Sequence, residues 1–82
     1  MAIWRIPRIL DETGKKSRAG FYADVAAGLL PRPVNVGPRS VGLPDEEVQA
    51  VVKARIAGWT DDQVRSLVQR LHDQRQVRAA SL

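Results

Sequence analysis

Apolar positions along the chain fall into four helical stripes and one alternating stretch. Ile6, Ile9 and Leu10 share one face of a short first helix, with Pro7 suited to its opening turn and Gly14 to its end. Ser17 is a good N-cap for a second helix over Arg18 to Ala27, with Phe21 and Val25 on its apolar face and Gly28 as its stop. Leu29-Leu30-Pro31-Arg32-Pro33 carries two prolines and is not helix interior. Val34-Asn35-Val36 and Ser40-Val41-Gly42-Leu43 alternate as strands do, and Gly37-Pro38-Arg39 between them is turn chemistry, so a small β-hairpin is expected with Arg39 near its tip. Pro44-Asp45-Glu46-Glu47 opens a third helix with an acidic first turn, and Val48, Val51, Val52 and Ile56 form its buried stripe up to Gly58. Thr60-Asp61-Asp62-Gln63 matches a capping box. The fourth helix then carries Val64, Leu67, Val68 and Leu71 on one face, and residues 79–82 are expected to fray.

The predicted fold is therefore mainly α with a small β-hairpin. Two helices joined by a few residues are a helix-turn-helix candidate. Residues 1–57 form the unit of three helices and hairpin, and 58–82 form a C-terminal amphipathic extension. The apolar stripe of that extension must cover something. Either it folds back on the third helix, with Gly58 as the bend and Trp59 filling the joint, or it packs on another subunit. Self-association through Val64, Leu67, Val68 and Leu71 is the favoured expectation.

Composition removes several function classes. Eighty-two residues are too few for a catalytic cleft between subdomains. There is no cysteine and a single histidine, His72, so neither a thiolate site nor a histidine zinc site can be built. Thr13-Gly14-Lys15-Lys16-Ser17 is reminiscent of a phosphate loop, but Ile9 stands where the upstream glycine is required. His72 and Asp73 lack a nucleophile at a defined turn, and His72 is expected on the surface of the fourth helix. No catalytic residue, metal or cofactor is expected. Arg5 and Arg8 follow Met1-Ala2-Ile3-Trp4 too closely for a secretory leader, and no stretch approaches a membrane span, so a bacterial cytoplasmic, nucleoid-associated protein is expected.

Charge sharpens this picture. The net charge is +4. Residues 1–43 hold seven basic and three acidic side chains, and residues 44–82 hold six of each, so the whole excess belongs to the first half. A basic module joined to a neutral one points to a polyanion-facing surface.

The residues Arg5-Ile6-Pro7, Leu10, Thr13-Gly14, Ser17-Arg18, Tyr22, Gly28, Leu30-Pro31-Arg32-Pro33-Val34-Asn35-Val36-Gly37-Pro38-Arg39, Val41-Gly42 and Glu47-Val48 resemble the AlpA family of prophage regulatory proteins. The resemblance covers about residues 3–57. It departs at Ala19 and Gly20, where that family usually has Ser or Thr, and at Leu43 and Val51, where it often has Trp. What it implies is a winged helix-turn-helix of the MerR and excisionase kind. Such a protein would be a small regulator of a prophage or mobile element, controlling transcription or assisting excision. The second helix would enter the major groove and the wing would lie at the minor groove.

Physical chemistry supplies roles for individual residues. Ser17 and the free N–H groups of a helix start suit phosphate. Lys15, Lys16 and Arg18 add counterion release, and Arg18 is also the candidate for bidentate guanine reading. Tyr22 lies one turn further on, within reach of backbone or base. Arg39 suits a narrow minor groove and Arg32 a phosphate. Arg5 and Arg8 are expected to flank this site or to pair with Asp11 and Glu12. The expected partner is double-stranded DNA, bound by a homodimer or tandem oligomer. The alternative is a protein-binding adaptor docking on integrase, RNA polymerase or another phage or host protein.

Overall fold

A computed structural model describes residues 2–80. The order of elements is β1 (Ile3–Arg5), α1 (Ile6–Thr13), α2 (Arg18–Ala26), β2 (Val34–Gly37), β3 (Ser40–Pro44), α3 (Asp45–Ile56) and α4 (Asp61–Ala80). Among the described residues there are thus four helices and one small antiparallel sheet of strand order β1-β3-β2, against which α1 and α3 pack. Among the described residues no helix is long and apolar enough to cross a membrane.

The expected hairpin is present, and its register pairs Val34 with Gly42, Asn35 with Val41 and Gly37 with Ser40. The shift between Asn35 and Gly37 leaves Val36 as a bulge. The third strand is the element the apolar pattern does not reveal. Three residues are too few for a readable alternation, and β1 exists because β3 offers it an edge. Ile3 pairs with Pro44, Trp4 with Leu43 and Arg5 with Gly42. The chain then enters α1 directly, so β1 sets where that helix begins.

Gly42 is required by this pairing. A Cβ built there would lie 2.5 Å from the Trp4 carbonyl oxygen and 2.8 Å from Ile3 Cγ2. The glycine therefore lets β1 approach the middle of the sheet, a role set by space, not by backbone angle.

The helix ends follow their caps. Gly14 adopts φ 74° after α1, which ends the helix in the left-handed conformation. At the start of α4 the capping box is reciprocal: Gln63 N–H donates to Thr60 Oγ1 at 3.2 Å and Thr60 N–H donates to Gln63 Oε1 at 2.8 Å. Helix α4 continues through Ala79 and Ala80, so these two residues do not fray as expected. Ser81 and Leu82 lie outside the described residues.

One core cluster runs through every helix. It contains Ile6 and Ile9 of α1, Phe21 of α2, Leu30 of the connection, Leu43 of β3, Val48, Val51 and Ala54 of α3, and Val64, Val68 and Leu71 of α4. The α4 stripe therefore covers its own chain. Val64 is completely buried, Val68 and Leu71 nearly so, and half-buried Leu67 packs against the same cluster. This corrects the expectation of self-association through Val64, Leu67, Val68 and Leu71, since the three buried residues present no surface to a second subunit. It also makes residues 58–82 part of the core, not an appendage to residues 1–57. Gly58, at φ 82°, makes the expected bend, while Trp59 stays 37% exposed instead of filling the joint.

Substituting Gly42→Ala should lower unfolding free energy by about 2–3 kcal/mol, because backbone and not a flexible side chain must move. Chemical denaturation checks this, and a variant as stable as the parent would mean that β1 does not pair as described.

Candidate nucleic-acid interface

The turn between α1 and α2 is built by Gly14 and by Ser17, which is extended at φ −153° and ψ 159°. Ser17 Oγ accepts from Gly20 N–H at 3.2 Å, the expected cap. This places Arg18 at the first position of α2, exposed to solvent. Tyr22, one turn on, is 44% exposed and sets its ring edge-on to buried Phe21, with centroids 5.0 Å apart at 79°. A Cβ at Gly20 would meet nothing closer than 3.7 Å, so packing within the chain does not require this glycine.

Arg39 sits in the hairpin turn with φ 59°, unlike every other described non-glycine residue. Pro38 before it presets the first central position of the turn, and Arg39 at the second takes the positive φ that glycine usually supplies in such turns. An arginine there carries a conformational cost of about 1 kcal/mol. The turn thus holds a guanidinium where glycine would be the more stable choice.

The sheet brings a third arginine to the same place. Pairing of β1 with β3 sets Arg5 opposite Gly42, just beyond Ser40 and Arg39. The α1–α2 turn returns the chain so that Arg18 joins them. Arg5, Arg18 and Arg39 line one open depression of about 180 Å³, together with Ile6, Pro7, Ser40 and Val41. The sequence predicts Arg5 only as a residue flanking the site or pairing with Asp11 and Glu12; the signal that places it here is the β1 pairing, which the apolar pattern does not show.

Ion pairing separates cations that are neutralised from those that are not. Arg8 pairs with Glu12 at 2.9 Å, as expected, and its guanidinium lies 4.6 Å from the Trp4 ring centroid. Lys15, expected to add counterion release, pairs with Asp24 at 2.6 Å, so part of its charge is already compensated within the chain. In the second half Arg55 pairs with Asp61, Arg65 with Asp62, Arg75 with Glu47 and Arg78 with Glu46. The Arg55 hydrogen bond, against some desolvation, holds the Asp61 carboxyl below its ordinary range. Among the described residues Arg5, Lys16, Arg18, Arg32 and Arg39 have no carboxylate within ion-pair distance. The uncompensated charge of the first half is thus concentrated on the α2 start, the hairpin tip and their neighbours. Such a surface raises the local concentration of anions.

Arg32 is exposed at its side chain, but its backbone is held. Its N–H donates to His72 Nε2 at 3.1 Å, and its carbonyl accepts from Arg75 Nη2 at 2.9 Å. His72 is therefore half-buried and engaged, which corrects its expected place on the open surface of α4. Arg75 also forks onto Glu47, with Nε–Oε2 at 2.8 Å and a second, short Nη2–Oε1 contact. The i, i+3 spacing of His72 and Arg75 was the available sign that they act on one neighbour.

A larger cavity of about 320 Å³ lies between α1, α2 and α3, lined by Leu29, Leu30, Val51, Val52 and Ile56 among others. Arg5, Lys16, Arg18, Arg32 and Arg39 do not line it, so it is separate from the basic site. No family model matches the sequence, and no curated protein and no solved structure matches it.

Replacing Arg39→Gly should leave the fold intact and raise stability by about 0.5–1 kcal/mol, since glycine takes the positive φ without strain. Thermal melting measures this; a clear loss of stability would mean the side chain, not the backbone, supports the turn.

Proposed function

We propose that this chain is a sequence-specific reader of double-stranded DNA, built as a winged helix-turn-helix, and that it serves a prophage or mobile element as transcriptional regulator or excision factor. The observation that carries the reading is the convergence of Arg5, Arg18 and Arg39, from three separate elements, on one open face without carboxylate partners. In this reading α2 enters the major groove. Arg18 at its first turn is placed to reach guanine O6 and N7, and the α2 start offers N–H groups to phosphate. The β2–β3 hairpin is the wing, and Arg39 at its tip enters the adjacent minor groove, where narrowing enhances negative potential. Lys16 and Arg32 bind phosphates and contribute affinity that falls with salt. Gly20, where a Cβ would make only ordinary contact with Ser17 Oγ at 3.7 Å, lets the backbone of the first turn approach the phosphate chain closely.

The resemblance to the AlpA family supports the same reading from the residues of the turn, α2 and the hairpin. A protein-binding adaptor is the competing function.

Selection from a random duplex pool, followed by gel retardation at several salt concentrations, tests the proposal. Wild type should enrich one short motif. Arg18→Ala should lose about 1–3 kcal/mol of discrimination for that motif. Lys16→Ala should weaken selected and scrambled duplexes equally and lower the salt slope by about one. Gly20→Ala should stabilise the fold by about 1 kcal/mol while weakening binding, because a helix gains from alanine what the phosphate approach loses. If wild type enriches no motif and retards no duplex at low salt, the DNA reading is wrong.

A further inference from the structure

The connection between α2 and β2 runs from Ala27 to Pro33, and α4 holds it at both ends. Arg65 Nε donates to the Ala27 carbonyl at 2.9 Å, satisfying a free acceptor at the C-terminus of α2. Five residues later His72 and Arg75 take the N–H and the carbonyl of Arg32. Between these points Leu30 and Pro31 are buried. Pro31 and Pro33 restrict the backbone on both sides of Arg32, so a grip on its two peptide groups directs the entry into β2.

We propose that His72 and Arg75 are positioning residues that clamp Arg32 and thereby hold the hairpin in place relative to α2. The proposal deepens the DNA reading and rests on it for the consequence to binding. The clamp itself is a contact within the chain and can be observed without DNA.

Its chemistry makes it sensitive to protons. His72 Nε2 accepts, so it must be unprotonated; a proton there sets a donor against the Arg32 N–H. The charged groups around the ring are Arg32 on the connection, Arg75 and Asp73 on α4, and Glu47 on α3. Desolvation first, then Arg32 and Arg75, hold its pKa below the ordinary value of 6.5, against the opposite pull of Glu47 and Asp73. Because the folded pKa is depressed, the contribution of His72 to stability is fully present above the unfolded value. It is lost as pH falls through the lower folded value.

The direction of the effect on binding is diagnostic. An extra positive charge on a DNA-binding protein strengthens binding by simple electrostatics. Release of the clamp does the reverse, because the hairpin is no longer set against α2.

The experiment follows backbone amides by NMR while pH is lowered from about 8 to about 5, a range spanning the histidine titration. The Arg32 amide and the amides of residues 34–42 should titrate with His72 in free wild type. His72→Gln, which keeps an acceptor and cannot titrate, should hold the alkaline spectrum throughout. Affinity for a duplex recovered in the selection above should fall about threefold to tenfold on acidification in wild type, as loss of one hydrogen bond implies, and His72→Gln should abolish that fall. His72→Phe should bind weakly at every pH. Arg32 and hairpin amides that ignore the His72 titration overturn the clamp, as does acid-strengthened binding in wild type. A wild type that binds no duplex removes the DNA reading, and the amide titration still decides the clamp.

Discussion

The placement of α4 depends on one buried carboxylate. Glu47 is 5% exposed, in the first turn of α3, where the helix dipole favours a negative charge. A dipole does not replace lost hydration, and a buried charge without a partner is costly. Arg75 supplies the partner through two contacts and can do so only when α4 lies along α3 in one register. A slip of one turn, about 5.4 Å, leaves the carboxylate stranded. The apolar stripe of Val64, Val68 and Leu71 drives α4 onto the core, but similar side chains tolerate more than one alignment. The ion pair therefore selects the alignment more than it supplies the net attraction, which desolvation largely offsets.

Once α4 is aligned, its other polar groups fall where the α2–β2 connection passes. Arg65 reaches Ala27, His72 reaches the Arg32 N–H, and Arg75 extends from Glu47 to the Arg32 carbonyl. In the neutral half Arg55, Arg65, Arg75 and Arg78 are used internally, on carboxylates and on the ends of a connecting segment, while Lys53 and Arg70 have no carboxylate within ion-pair distance among the described residues. The basic half leaves five cations without carboxylates. This imbalance gives a physical meaning to the uneven charge distribution: the second half uses most of its cations to fix geometry, and the first presents most of its own on that frame.

Much of this was legible in the amino-acid order, for local reasons. Gly14, Ser17 and the Thr60–Gln63 box mark helix ends because caps act within four residues. Pro38-Arg39 marks the hairpin turn because its chemistry is local too. What could not be read is non-local. The strand at Ile3–Arg5 exists only through pairing with residues some forty positions away, and so Arg5 was not placed beside Arg18 and Arg39. Lys15 reads as a free cation until α2 brings Asp24 to it. The α4 stripe is visible as a periodicity, but whether it covers the same chain or another is a question of tertiary alignment. The Glu47–Arg75 pair answers it, and a carboxylate in an acidic helix start gives no sign of being the buried one.

The sheet has a consequence for crowding. Its two outer strands are a segment of three residues and a segment broken by the bulge at Val36. Neither offers a straight run of unpaired peptide groups long enough to template another chain. A hairpin projecting from a small protein is ordinarily an invitation to strand exchange. Here the irregularities that shape the tip also close the sheet to lateral growth, so many copies can stand side by side without their ladders merging.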